Sequence, residues 1–295
     1  MRETKIDKIK KYHLHKNEPD KLQFEIYPLE NYLHRNEENT QKPHVHSFYQ
    51  ILWFISGEGK HYVDFNGYDV EANTLFFISK GQIHHFDSNK YKGYIIHFNE
   101  SFIAGNENYI NIFLKYNIFD SFEKEPLFRV KQTDSKELEN IVIQMQTEIW
   151  TPDRFAHSEY LKTLLYLFLI AIQRLGVRKD CNGLSVNNPD HILFVKFRKL
   201  LEENYRKIHT VNRYAVLLNI SSKTLTNCTR NISHQTPLEI INERLILEAK
   251  RLLAYSDKNV SEIGFELGFE DPSYFVKFFK RQTSMLPRNF RKVIS

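Results

Sequence analysis

The chain has only two cysteines in 295 residues, Cys181 and Cys228, and neither has a partner at zinc-site spacing. That excludes a disulfide framework and points to a reducing compartment. Long hydrophobic runs are also missing, since the longest, Leu164 to Ile172, stops far short of the ~20 apolar residues a spanning helix needs. The first residues, MRETKIDKIKKYHLHK, carry charge but no apolar core of a secretory signal. A cytoplasmic protein with no membrane partner is expected. A large net charge is absent as well, at +5 overall, but the charge is unevenly divided. Residues 191–295 hold 18 Lys and Arg against 10 Asp and Glu, whereas residues 1–190 hold 23 against 26. The last third is thus basic, as expected of a segment that neutralises phosphates. A well-solvated helical domain can carry the same charge, so charge alone does not decide.

With 41 % hydrophobic residues, the chain is long enough to bury two cores. From about Leu22 to Phe98 it shows short β-rich runs between turn residues: YQILWFI (49–55), KHYVDF (60–65), TLFFIS (74–79) and GYIIHF (93–98). Gly57-Glu58-Gly59 separates the first two, and Asn66-Gly67 is a strong two-residue hairpin signal because both residues tolerate positive φ. A small antiparallel sandwich or barrel is expected. Between Asp134 and Gly176 the period becomes helical, and the second segment, FAHSEYLKTLLYLFLIAIQRLG, is apolar on nearly every side. Its cover is either a second copy of the chain, which makes a homodimer, or the domain itself. Residues 177–190 lose periodicity and collect Asn, Asp, Gly and Pro, the composition of a linker. The expected organisation is an α+β protein of two domains, 1–176 and 191–295, joined by 177–190.

The basic third carries two helix-turn-helix patterns. His191 to Tyr205 has apolar residues at Leu193, Phe194, Phe197, Leu200 and Leu201, one stripe of a supporting helix. In the first pattern Tyr214, Ala215 and Leu218 give an apolar face, Asn219 suits a left-handed turn and Ser221 a helix cap. The helix that follows points Leu225 and Cys228 inward, leaving Ser222, Lys223, Thr226, Asn227 and Arg230 as candidate DNA contacts. After Pro237, Leu238 to Tyr255 reads as a rod of roughly 27 Å, able to hold two reading helices about one DNA turn, ~34 Å, apart. The second pattern starts at Val260 with Ile263 and Leu267 inward, turns at Gly268, and reopens at Asp271-Pro272-Ser273. Phe275, Phe278 and Phe279 face the core there, and Ser273, Tyr274, Lys277, Lys280 and Arg281 are the second set of candidate contacts. For any single one of these residues a solvated helix face is the competing reading.

These residues carry a resemblance. RLILEAKRLL (244–253), VSEIGFELGFEDPSYFVKFFKRQTSMLPRNFRK (260–292) and SSKTL (221–225) resemble the DNA-binding domain of the AraC/XylS family of transcriptional regulators, over about 100 residues. Gly264 stands where Ala is usual, and Ser284 and Ser233 are assigned to positions where Gly is common. The resemblance implies that the first unit's reading helix carries much of the base readout, here Lys223, Thr226 and Asn227. Pro272 and Val276 leave the second unit poorer in polar readers, so it is expected to favour phosphates. Activators of such a family touch RNA polymerase, a further partner the resemblance implies.

Pro43-His44-Val45-His46-Ser47-Phe48-Tyr49-Gln50 alternates so that His44, His46, Phe48 and Gln50 share one face. With His84 in Ser79-Lys80-Gly81-Gln82-Ile83-His84, this spacing resembles the cupin pattern HxHx3Ex6G followed by PxGx2H, with Gln50 in place of Glu and Ser79 in place of Pro. A cupin-like, jelly-roll sensor domain is implied. In metal cupins such a set holds iron or manganese, but a Gln is a neutral, weak donor that leaves a divalent charge unbalanced. No cofactor or metal is therefore expected, and His44, His46, Gln50 and His84 are read as the polar floor of a small-molecule pocket or as a mutually satisfied cluster. Phe48, Trp53, Tyr62 and Phe86 are candidate walls. The expected function is a sequence-specific, non-enzymatic regulator controlled by a small-molecule effector. The alternatives are a metal-dependent cupin enzyme with a basic appendage, and a constitutive DNA-binding protein whose barrel only dimerises.

Overall fold

The computed structural model describes residues 9–18, 20–103, 119, 125–180 and 189–294, with the side chains of 176–180 excepted. These fall into two compact units, one from Lys10 to Asp180 and the other from Pro189 to Ile294. Cys181 and most of the expected linker lie outside the described residues. The first four positions of that linker instead continue the helix His157–Asp180, and the next helix, Pro189–Asn204, opens two residues before His191.

The first unit contains the strands β1 (Lys10–Tyr12), β2 (Phe24–Pro28), β3 (His44–His46), β4 (Tyr49–Ser56), β5 (Gly59–Val63), β6 (Asn66–Val70), β7 (Thr74–Ile78), β8 (Ile83–Phe86), β9 (Lys92–Phe98) and β10 (Leu127–Arg129). They form two five-stranded sheets, β1-β3-β8-β5-β6 and β10-β7-β4-β9-β2. Every pairing is antiparallel except β1 with β3. The jelly-roll-like fold is thus a pair of facing sheets and not a closed barrel. From Ile51 to Ile55 strand β4 is apolar throughout because both of its faces are covered. Leu52 and Phe54 pack between the sheets with Val63, Phe76 and Phe86, while Ile51 and Trp53 face the helices Gln132–Ile149 and His157–Asp180 with Leu138, Leu165 and Phe168. Each such fully buried side chain contributes roughly 1.5–3 kcal/mol relative to exposure. The apolar helix is therefore covered largely by its own domain, leaving Tyr160 and Leu167 exposed; Ile143, Trp150 and Phe155 are exposed as well.

The hairpin between β5 and β6 differs from expectation. Val63 pairs with Asn66 and Tyr62 with Gly67, so the loop is Asp64-Phe65, with φ 54° at Asp64, and Asn66-Gly67 begins the return strand. Two forces fix this register. The Asp64 backbone N–H donates to the Ile83 carbonyl at 2.7 Å and its carboxylate accepts from Gln82 Nε2 at 3.3 Å. Gly67 also lies under the Tyr62 ring, where a Cβ would come within 2.9 Å of it.

The second unit is helical: Pro189–Asn204, Val211–Leu217, Ser222–Ser233, Pro237–Tyr255, Val260–Glu266, Pro272–Thr283 and Pro287–Ile294. The long helix Pro237–Tyr255, about 28 Å by its rise, begins with a reciprocal capping box between Thr236 and Glu239. It sends Ile240, Ile241, Leu245, Ala249 and Leu253 into a core shared with Phe197, Tyr214, Ile263, Phe275 and Phe279. A buried ionic cluster lies along it. Arg244 Nε meets Glu202 at 2.9 Å and its Nη1 meets Glu248 at 3.0 Å, Arg206 reaches Glu248 at 2.7 Å, and the Arg244 guanidinium stacks 3.8 Å over Tyr205. Burial alone would raise the Glu248 carboxyl, but the charges of Arg244 and Arg251 outweigh it and hold the group down to about 2. The basic excess of this unit is therefore partly structural: Arg244 and Arg251 are internal cations, and Arg291 donates to the carbonyls of Leu253 and Lys258.

Candidate nucleic-acid interface and histidine cluster

The two reading helices, Ser222–Ser233 and Pro272–Thr283, are each 12 residues long and begin 50 residues apart. Each starts from a side-chain cap. Ser221 accepts from the Thr224 N–H at 3.0 Å, and Asp271 accepts from the Ser273 N–H at 2.7 Å with Pro272 at the first helical position. The pattern of buried and exposed positions is the same from 221 to 230 as from 271 to 280. Leu225, Cys228 and Thr229 match Phe275, Phe278 and Phe279 as the buried stripe. The preceding turns also correspond, with left-handed backbone at Asn219 (φ 55°) and Gly268 (φ 82°). At Gly268 the glycine is obligatory, because a Cβ would sit 2.0 Å from the Arg206 carbonyl oxygen. Left-handed residues also end both helices, at His234 (φ 60°) and Ser284 (φ 59°). The position assigned to Ser233 thus belongs to His234, three residues before Pro237, as Ser284 stands three before Pro287.

On the outer faces Lys223, Asn227 and Arg230 are exposed, as are Ser273, Tyr274, Lys277, Lys280 and Arg281. Ser222 and Thr226 are half-buried, and the Thr226 hydroxyl donates to the Ser222 carbonyl at 2.8 Å. All ten candidates therefore fall on or at the edge of solvent-facing surfaces. The repeat adds a position that sequence reading missed: Thr224, exposed and equivalent to Tyr274, with its hydroxyl 2.8 Å from Ser221 Oγ. Asn231, equivalent to Arg281, is already engaged, its amide donating to Asp190 at 2.8 Å, while Cys228 Sγ donates to the Asp190 carbonyl.

In the first unit, His44, His46, Gln50 and His84 are all buried between the sheets. His44 and His84 are direct cross-strand partners on β3 and β8, and their ring centroids are 4.3 Å apart. His46 lies 4.9 Å from each of them. Two further buried histidines, His61 on β5 and His97 on β9, escaped the sequence reading although alternation along HYV and IIHF carries the signal. His61 is 5.3 Å from His84, and His97 pairs in register with Gln50. Phe48 sits between His46 and His97, at 4.5 and 4.8 Å, and the Phe86 ring lies tilted 4.5 Å from His61, so both line the cluster as expected. Trp53 and Tyr62 do not: the former packs on Phe168 toward the helices and the latter stacks on His85. A one-residue step along a strand reverses the face, which accounts for both.

Burial pushes the His44 imidazole down to about 4, partly offset by its bond to the Lys42 carbonyl, and pushes His46, His61 and His84 well below the usual histidine range. All four are neutral at pH 7. The expected mutual satisfaction is not found among the described residues: both ring nitrogens of His46, His61 and His84, together with Gln50 Oε1, are buried without a hydrogen-bond partner. His97 is different, its Nδ1 facing Glu25 at 3.7 Å, and Glu25 reaches His15 Nε2 at 3.1 Å beside an open cleft of about 330 Å³ bordered by Lys16, Gln23 and Asn99. As to a metal of the cupin kind, His44, His46 and His84 fit as three neutral nitrogen donors, with ligand atoms all within 4.8 Å of one another, and Gln50 fits only as a weak fourth.

Two family models match the two units separately, an AraC-like ligand binding domain over residues 29–169 and a helix-turn-helix domain over 214–293. The chain belongs to the AraC family of transcriptional regulators. The HTH-type transcriptional activator RhaS of Klebsiella pneumoniae (strain 342) is 24 % identical over 254 residues, covering 84 % of this chain and 87 % of its own. The uncharacterized HTH-type transcriptional regulator YisR of Bacillus subtilis (strain 168) is 30 % identical over 97 residues, 33 % of this chain and 34 % of its own. Among solved structures, ToxT from Vibrio cholerae O395 is 15 % identical, covering 93 % of this chain and 99 % of its own at a TM-score of 0.42. This AraC-family member is thus a DNA-binding transcriptional regulator with an N-terminal ligand-binding domain. Among its described residues no helix is long and apolar enough to cross a membrane.

Proposed function

We propose that this regulator reads two successive major-groove segments per chain, with Ser222, Lys223, Thr226, Asn227 and Arg230 facing one and Ser273, Tyr274, Lys277, Lys280 and Arg281 the other. The observation that carries the reading is the repeated burial pattern of two capped helices 50 residues apart, each presenting cations and amides outward. Lys223, Thr226 and Asn227 supply base contacts in the first unit. Lys277, Lys280 and Arg281 make the second chiefly a phosphate clamp, because the position equivalent to Thr226 is the apolar Val276. The first unit is the effector-sensing and dimerising domain and the second the DNA-binding domain, on the expected bounds of 1–176 and 191–295, with a helix of each running into 177–190 from its own side.

The effector enters the jelly-roll domain, where the unpartnered polar atoms of the histidine cluster await a ligand. It shifts the regulator between two DNA-binding arrangements by no more than its difference in affinity for them. The exposed Ile143, Trp150, Phe155, Tyr160 and Leu167 supply an apolar surface for a homodimer contact. The protein acts in the cytoplasm, on double-stranded promoter DNA and with RNA polymerase as a further partner, and it is not an enzyme.

The test is selection of genomic fragments with the purified chain, followed by salt titration of the recovered fragments. A shared motif with two parts about 10 bp apart supports bipartite readout. Random fragments that all release alike with salt would leave only phosphate attraction and overturn it.

A further inference from the structure

We propose that Arg206 is a positioning residue for DNA reading: it ties the turn of the second helix-turn-helix to the long helix and so fixes the separation of the two segments read. This rests on the two-segment reading above. The long helix ends at Tyr255, and the chain reaches the second unit through Ser256-Asp257-Lys258-Asn259, of which the last three are exposed and none is helical. Such a connector does not hold an orientation by itself. Apolar packing of Ile263, Phe275 and Phe279 supplies stability, but that force is non-directional. Directed polar contacts have to set the register.

Arg206 makes them. It stands in the connector between the helices Pro189–Asn204 and Val211–Leu217, and its guanidinium donates in three directions. Nη2 meets Glu248, midway along the long helix, at 2.7 Å, Nη1 meets Glu266, the last residue of the helix Val260–Glu266, at 3.1 Å, and Nε meets the Tyr205 hydroxyl at 3.0 Å. A planar fork fixes those directions together, which a lysine ammonium on a flexible stem does not. The backbone of the same residue abuts the second turn, since a Cβ on Gly268 would lie 2.0 Å from the Arg206 carbonyl oxygen, and the His209 ring lies 4.9 Å from Phe269. The connector also reaches the first unit, where the Tyr214 hydroxyl donates to the Ile208 carbonyl at 3.0 Å. It therefore touches both readers.

The repeat is broken at this point. Aligned on the two left-handed turn residues, Glu266 corresponds to Leu217, which is exposed and carries no charge to tie. The leading helices begin 49 residues apart and the reading helices 50 apart, so the second turn is one residue longer. A longer turn has more freedom to restrain, and the tie to Arg206 is found on that unit. The Arg206 side chain is 44 % exposed, where ion pairs add little to stability. Its removal should loosen geometry more than folding.

The experiment uses the full chain and the tightest duplex from genomic fragment selection, remade with its two parts one base pair closer, one base pair farther, and with the second part scrambled. Affinities are compared at one salt concentration. A one-base-pair change moves the second segment by about 3.4 Å and a tenth of a turn, and should weaken wild type about tenfold or more. In Arg206→Ala that penalty should shrink to about threefold or less, while affinity for the scrambled duplex stays as in wild type. Glu266→Gln, which leaves Arg244 and Glu248 paired, should flatten the spacing preference likewise, and the double variant should add nothing further. It keeps the test open if Arg206→Ala does not fold, as far-ultraviolet dichroism shows. A full spacing penalty retained in folded Glu266→Gln or Arg206→Ala overturns the positioning role, and so does an equal loss on every duplex, which marks a merely structural residue. A wild type indifferent to spacing overturns the two-segment reading itself, and the tie with it.

Discussion

Replacing Glu248 by Gln removes the carboxylate on which Arg244, Arg206 and Arg251 converge, at 3.0, 2.7 and 3.6 Å. Holding this carboxyl at about 2 instead of 4.5 corresponds to about 3 kcal/mol of folding free energy at neutral pH. Breaking a buried pair from one side costs about 3–5 kcal/mol by comparison with other proteins, because the orphaned cation stays behind. Either figure is a large share of the roughly 5–15 kcal/mol available to a unit of about 100 residues. The sign with pH follows from the depressed carboxyl. Its contribution is complete above 4.5 and is lost as pH falls toward 2, so the gap between wild type and Glu248→Gln should be constant near neutrality and close on acidification. Urea unfolding of the full chain measures it with two probes. Both tryptophans, Trp53 and Trp150, lie in the first unit, so their fluorescence transition should stay put while the far-ultraviolet dichroism transition of the helical unit moves to lower urea. A loss under about 1 kcal/mol, or a loss unchanged with pH, would refute the view of this cluster as a charge-balanced structural element.

Lys223→Ala and Asn227→Ala should each cost about 1–3 kcal/mol on a selected site and relax its sequence preference, whereas Lys277→Ala should weaken all sequences alike and flatten the salt dependence. The opposite ranking in a binding competition would reverse the roles of the two units. Gly268→Ala places a Cβ 2.0 Å from a backbone oxygen and should cost on the order of 2–4 kcal/mol, seen as loss of both helicity and DNA binding; a neutral result would mean the turn is not built as described. Ser284→Gly relieves a left-handed residue at φ 59° and should stabilise the helical unit by about 0.5–1 kcal/mol, measured by the same urea titration.

The helical unit was legible in the sequence to a degree the β-unit was not. Its caps, breakers and apolar stripes are local signals, so Ser221, Asn219, Gly268, Asp271 and Pro272 each mark a boundary within a few residues of their own position. The hairpin at Asp64-Phe65 was hidden because its register depends on Ile83 and Gln82 from a distant strand and on the ring of Tyr62 above Gly67. The same limitation hid His61 and His97: each meets its neighbour only through strand pairing, His61 reaching His84 across β5 and β8 and His97 reaching Gln50 across β9 and β4. In β4 both faces are covered, so the continuous run YQILWFI gave no clue that Trp53 looks toward helices and Leu52 toward the opposite sheet. The buried arginines were read as surface charge because composition does not distinguish a cation over DNA from one stacked on Tyr205.

Asp190 stands at the first turn of the helix that opens the second unit, and it holds the first reading helix at two points, through Asn231 and through Cys228. That fixes where this chain can be cut and rejoined. A hybrid regulator assembled from a foreign sensor and this DNA-binding half keeps its reading helix anchored if the splice falls before Pro189. A splice a few residues later discards the anchor while leaving every DNA-facing side chain in place.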